Sequence, residues 1–218
     1  MSVINFYERT KSEKRINPHV DRHGFKVPFR ALIAAPSGSG KTNALLNLLA
    51  AMDQTFHQIL VCVKSADEPL YKLLADHRSW FSRTEKYPRL QTTARLKRLD
   101  KLQRIIVFDD LVLDKAANRA AAEYYIKARK LGFSMVYISQ SYFQTPQMIR
   151  DNCQYFILGK NLLKKDLRMI LHVFPTDMSL DEFAALYNEL ATEPLSTITI
   201  DIEGRNIRPN ITGDPIKL

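Results

Sequence analysis

Cysteine is almost absent from this 218-residue chain, with only Cys62 and Cys153 and no C-x-x-C spacing. That excludes a disulfide framework and a thiolate metal cluster, and it predicts reduced, buried thiols in an intracellular protein. Long apolar runs are missing too. No stretch approaches the roughly 18–20 uncharged residues that a membrane span needs. Residues 1–9 have neither an apolar core nor a small-residue cleavage site, so no secretory leader is expected. Repeats and low-complexity tracts are also lacking, which excludes solenoid and fibrous architectures. What remains, 45% hydrophobic and 25% charged residues over this length, fits one globular domain with a real core.

Acidic residues are the minority charge, 23 against 32 basic, and the net charge of +9 favours an anionic partner. The excess is unevenly placed. Arg78, Arg83, Lys86, Arg89, Arg95, Lys97, Arg98, Lys101 and Arg104 face only Glu85 and Asp100 within one stretch, with Trp80, Phe81 and Tyr87 among them. Arg9, Lys11, Lys14, Arg15, Arg22 and Lys26 form a second basic group near the N-terminus. A charge run alone most often marks a solvated face. Beside a nucleotide site, a nucleic acid is the better reading.

That site is written in the octet Ala35-Pro36-Ser37-Gly38-Ser39-Gly40-Lys41-Thr42. An apolar run, 29–34, precedes it and reads as a buried strand. A run beginning at Asn43 and apolar almost all round follows it and reads as a helix. Strand, glycine-rich loop and helix together predict a phosphate-binding loop rather than an ordinary turn. Gly38 and Gly40 can take backbone angles that turn successive N–H groups toward a phosphate, and the helix N-terminus adds partial positive charge. Lys41 is expected to reach the β- and γ-phosphates of a nucleoside triphosphate, and Thr42 to hold Mg²⁺. Ala35 stands where glycine is commoner, a tolerable change at the residue that starts the turn.

Further strands are expected over 58–63, 104–109, 134–139, 155–158 and 196–202, and helices over 69–77, 114–131, 164–173 and 180–191. Thr145-Pro146 is expected to cap and open a short helix, and the 179–182 stretch reads as a capping box. Residues 1–28 read as an irregular basic arm, 29–202 as a nucleotide-binding domain, and 203–218 as a polar tail. Strands alternating with helices predict an α/β fold with a mainly parallel central sheet, helices on both faces, and ligands at the strands' carboxyl ends.

Asp109 and Asp110 follow four apolar residues at one such carboxyl end. Asp109 is the expected Mg²⁺ partner of Thr42. Asp110 stands where many P-loop ATPases place a Glu that deprotonates the attacking water; the shorter Asp must come closer or act across a water. Gln140, just past the 134–139 strand, can donate to a γ-phosphate oxygen and accept from the lytic water.

These motifs, with the 128–141 stretch from Ala128-Arg129 to Gln140-Ser141 and the run 146–153 that contains Arg150 and Asn152, resemble the FtsK–HerA superfamily. The resemblance is closest to the vaccinia-type genome-packaging ATPases of large DNA viruses, virophages and Polinton-like elements. It covers 29–160 well, 161–202 loosely, and the two ends not at all. It implies a RecA-like P-loop ATPase fold and Mg²⁺-dependent ATP hydrolysis driving double-stranded DNA into a preformed capsid. It further implies a homo-oligomeric ring, a pentamer or hexamer, with a capsid vertex or portal component as partner. The location it implies is the host cytoplasm, a viral factory or the virion. In this superfamily a neighbouring subunit supplies an arginine finger, and Arg129 and Arg150 both match motif positions. Two rivals share the P-loop: a nucleoside or small-molecule kinase, and a DNA-binding protein that uses ATP only as a switch.

Overall fold

The computed structural model describes residues 15–63, 69–72, 81–84, 103–127 and 132–217. Its strands are β1 (Arg30–Ala34), β2 (Gln58–Cys62), β3 (Phe81–Thr84), β4 (Arg104–Asp109), β5 (Phe133–Ser139), β6 (Tyr155–Gly159), β7 (Thr197–Asp201), β8 (Asn206–Pro209) and β9 (Ile216–Lys217). Its helices are α1 (Val20–His23), α2 (Lys41–Ala51), α3 (Lys115–Lys127), α4 (Gln147–Arg150), α5 (Lys164–Val173) and α6 (Leu180–Leu190). Residues 69–72 form a further helical turn. Among the described residues the strands make one sheet in the order β3-β2-β4-β5-β1-β6-β7-β8-β9. Pairing is parallel from β3 through β6 and antiparallel from β6 through β9.

Both faces of the central strands are buried, which explains their nearly continuous apolar sequences. Successive side chains of a strand point to opposite faces, and the two cores divide β1 and β4 accordingly. Ile33, Ile105 and Val107 join Leu45, Leu48 and Leu49 of α2 on one face. Leu32, Ala34, Ile106 and Phe108 join Ala121, Tyr124 and Tyr125 of α3 and Phe183 of α6 on the other. Truncating a fully buried side chain such as Ile33 to Ala is expected to cost about 2–5 kcal/mol. Tyr125 reaches through its core to donate to the Ala31 carbonyl at 2.6 Å, so α3 is tied to the strand that enters the phosphate loop.

Four local readings change. From residue 15 on, the N-terminal arm is not irregular: it forms α1 and buries Phe25 fully against Phe29 and Tyr155. Residues 203–218 are not merely a polar tail. They supply β8 and β9, with Ile207 fully buried, because a two-strand antiparallel return needs few apolar residues once β7 offers an edge. Thr145 does not cap α4: its hydroxyl donates to the Ser141 carbonyl, and Pro146 occupies the cap position. Arg104 is not a solvent-facing cation. It opens β4 at 5% exposure, its guanidinium 4.2 Å from the Phe133 ring centroid. The expected capping box at Ser179 and Glu182 is present, with each side chain bonded to the other's backbone N–H. Cys62 is buried in β2, and desolvation pushes its thiol up to about 12. Cys153 is half-buried, its Sγ donating to the Ile149 carbonyl. Among the described residues no helix is long and apolar enough to cross a membrane.

Candidate functional site: a phosphate loop beside a carboxylate edge

The loop leaves β1 at Ala35, and its geometry follows from its glycines. Gly38 and Gly40 have φ of +76° and +80°, the left-handed region that other residues enter at a cost. Gly40 is the residue before α2, and its carbonyl accepts from Ala44 N–H to start the helix. A Cβ on Gly38 would meet nothing within 4 Å, so that side of the loop is open to an incoming phosphate. A Cβ on Gly40 would instead lie 2.5 Å from Leu195 Cδ2, so Leu195 braces the loop from the turn that leads into β7. Lys41 Nζ donates to the Pro36 carbonyl at 3.2 Å, placing the ammonium across the loop. Thr42 and Asn43 continue the first turn of α2.

Ala35 in the usual glycine position has a structural counterpart. A Cβ on Gly159, the last residue of β6, would stand 2.5 Å from Ala35 Cβ. The methyl group that the loop gains is accommodated by a side chain that β6 lacks.

Strand β5 lies between β1 and β4, as expected for an inserted sensor strand, and it aligns both halves of the site. Its Ser139 carbonyl accepts from Ala35 N–H and its Ile138 carbonyl from Asp110 N–H, each at 3.2 Å. The phosphate loop and the carboxylates are therefore registered on consecutive residues of one strand. Asp109 ends β4 at 9% exposure, and its Oδ2 accepts a 2.6 Å hydrogen bond from the hydroxyl of fully buried Tyr71. Asp110 turns out of the strand with φ +49° and is exposed. Gln140 Nε2 lies 3.3 Å from each Asp110 carboxylate oxygen, so the sensor amide and the expected base are neighbours. Gln140 also shares a cavity of about 400 Å³ with Pro36 and Ser37 of the loop and with Asn161, Lys165 and Asp166. Asp166 is buried there, accepting from Ser141 Oγ at 2.7 Å and Phe143 N–H at 2.8 Å. A second cavity of about 370 Å³ runs beside α2 between Asn47, Leu195 and Asn210, and no carboxylate lines it.

The donor set suits a hard divalent cation. Thr42 offers a hydroxyl and Asp109 a carboxylate, while no cluster of three or more His, Cys, Asp or Glu exists among the described residues. Two oxygen donors, with the shell completed by phosphate oxygens and water, is how Mg²⁺ is commonly held.

Of the arginines, Arg129 lies outside the described residues, as does the basic stretch apart from Phe81–Thr84 and its last two residues, Gln103 and Arg104. Arg150 is half-buried in its own chain, its guanidinium 5.2 Å from the Tyr142 ring centroid and Nη1 3.9 Å from Met169 Sδ. Asn152 of the same motif is tied inward, accepting from Arg30 Nη1 at 3.1 Å and donating to the Met148 carbonyl. Sequence reasoning missed Tyr71, Gly159 and Leu195. Gly159 carried a usable signal, a glycine ending an apolar strand, where close backbone approach is common. Tyr71 and Leu195 carried none.

A phosphate loop after β1, paired carboxylates at the end of β4 and the Gln140 amide at the end of the strand between them fit a P-loop ATPase. The chain belongs to the Poxvirus A32 protein family, whose model matches residues 19–186. Solved structures share the fold at low identity. The genome-packaging NTPase B204 of Sulfolobus turreted icosahedral virus 2, bound to sulfate, superposes with TM-score 0.55 at 13% identity, covering 86% of this chain and 97% of B204. Its AMPPCP complex gives 0.56 at 11%, covering 88% and 100%. The cytoplasmic domain of the Thermomonospora curvata type VII secretion ATPase EccC gives 0.57 at 14%, covering 84% of this chain and 25% of that one. No curated protein sequence matches the chain significantly.

Proposed function

We propose that this ATPase is the motor that drives double-stranded DNA into a preformed viral capsid. The observation that carries the reading is the Asp110–Gln140 pair at the ends of neighbouring strands, one strand from the phosphate loop. A carboxylate and an amide side by side suit a water molecule as phosphoryl acceptor: one takes its proton and the other orients it. A kinase needs an acceptor-binding pocket and could use a carboxylate as base, but it has no need of Gln140 beside that carboxylate. The poxvirus A32 family and the packaging role named for B204 support the same choice.

In this reading the backbone N–H groups of 37–43 and Lys41 bind the phosphates of ATP, and Thr42 with Asp109 holds Mg²⁺. The cation, when bound, draws charge from the β- and γ-phosphoryl oxygens. Asp110 accepts the water's proton, and Gln140 holds that water toward the γ-phosphorus. A neighbouring subunit in a homo-oligomeric ring supplies an arginine, Arg129 or Arg150, against the charge that develops there. Arg150 must leave Tyr142 and Met169 to do so, which favours Arg129. A pentameric or hexameric ring, a capsid vertex or portal component, and a viral factory or host cytoplasm as location complete the reading.

Steady-state ATP hydrolysis with and without double-stranded DNA, run beside a small phosphate acceptor, tests it. DNA is expected to raise turnover and the acceptor to leave it unchanged. Phosphate transfer to the acceptor would replace the motor with a kinase. A single turnover that DNA does not stimulate would favour an ATP-dependent switch.

A further inference from the structure

Asp109 is the buried member of the carboxylate pair, and its partner comes from a segment with no nucleotide motif. Residues 69–72 form a helical turn after β2, and Tyr71 from that turn is fully buried in the core that packs α2 against the sheet. Its hydroxyl donates to Asp109 Oδ2 at 2.6 Å, within the range of a charge-assisted O–H···O⁻ bond. A carboxylate at a strand end can rotate about both its side-chain torsions. A donor on a ring that is itself packed on all sides removes that freedom. The ring supplies rigidity and the hydroxyl supplies direction, so the two roles are separable by experiment.

We propose that Tyr71 is a positioning residue for the metal, holding the Asp109 carboxylate in the orientation that binds Mg²⁺·nucleotide. This rests on the reading of Thr42 and Asp109 as the cation's protein ligands. Groups that hydrogen-bond a ligating carboxylate tune metal affinity, and removing one typically costs 10–100-fold. A purely structural tyrosine would affect folding stability and leave the metal untouched.

The test uses the full chain and ATPγS, with binding measured first in EDTA and then along a Mg²⁺ titration. In wild type, Mg²⁺ is expected to tighten ATPγS binding with a defined midpoint. Tyr71→Phe keeps the ring. It should leave metal-free ATPγS affinity unchanged and move the Mg²⁺ midpoint about 10–100-fold higher. Combined with Asp109→Ala it should add no further shift, because the hydroxyl acts through that carboxylate. Should the Phe variant not fold, 3-fluorotyrosine placed at position 71 keeps ring and hydroxyl and makes the hydroxyl a stronger donor while adding one fluorine to the ring. It should move the midpoint in a folded protein. An unmoved midpoint in either variant overturns the positioning role while the metal site stands. Absence of any Mg²⁺ effect in wild type overturns the metal site itself.

Discussion

The phosphate loop is closed by eight consecutive residues, whereas the carboxylate edge opposite it draws on three separated segments: the turn bearing Tyr71, the end of β4 and the end of β5. In the loop, glycine geometry and the start of α2 set the shape locally, and the bond from Ala35 N–H to the Ser139 carbonyl, with Leu195 and Gly159 around it, only anchors that shape. At the edge no residue is in place until the sheet has formed, because β5 must lie between β4 and β1 before Asp110 and Gln140 can meet. The two halves of one cleft therefore differ in how they fail. Loop changes should abolish ligand binding one residue at a time. At the edge, changes to Asp110 or Gln140 should spare binding and lower the rate, whereas changes to Tyr71 or Asp109 should weaken the Mg²⁺-dependent part of nucleotide binding.

The largest expected effect breaks the loop. Lys41→Ala removes the loop's cation and should eliminate nucleotide-dependent activity while the circular dichroism spectrum and melting temperature stay near wild type. Undiminished hydrolysis would undo the loop's role in catalysis. Asp110→Asn comes next and addresses the edge. It keeps shape and hydrogen bonding but loses the base, so single-turnover hydrolysis should fall about 10²-fold or more. ATPγS binding should persist, because Thr42 and Asp109 are intact. Failed binding with normal hydrolysis per bound nucleotide would reverse the roles of the two carboxylates.

Two smaller effects concern the basic residues. Arg95, Lys97 and Arg98 lie outside the described residues. If they neutralise DNA phosphates, replacing all three with Ala lowers the slope of log affinity against log salt by roughly one unit for each phosphate no longer neutralised. An unchanged slope would move the DNA-binding surface elsewhere, toward the N-terminal basic group. Arg104→Ala should leave that slope alone and reduce stability by about 1–2 kcal/mol, because the cation–π interaction with Phe133 is removed. Chemical denaturation of the variant checks this, and a changed salt slope would return Arg104 to the DNA surface.

How far the sequence could be read follows the same division. The loop and its flanks were legible because strand, glycines, Lys41 and Thr42 are contiguous and each has one physical reason to be there. Asp109, Asp110 and Gln140 were legible because strand ends announce themselves by four or more apolar residues followed by polar ones. The bond from Tyr71 to Asp109 was not, since a tyrosine in a short amphipathic helix has nothing local to mark its partner 38 positions away. Arg104 misled for a related reason. A cation that continues a basic stretch looks exposed until the ring above it, 29 residues later in sequence, is in place. β8 and β9 were missed because both are short, four and two residues, and neither carries an apolar run long enough to stand out from a polar tail.

The positive φ of Asp110 bears on why an aspartate occupies a place where Glu is common. Asn and Asp are the residues, after glycine, that tolerate left-handed backbone, because their short polar chains bond locally; others lose about 1–2 kcal/mol there. A glutamate would gain one methylene of reach and meet that conformational penalty at the same atom. The length of the side chain at 110 and the handedness of the backbone that bears it are thus a single choice. Lengthening the one requires rebuilding the other.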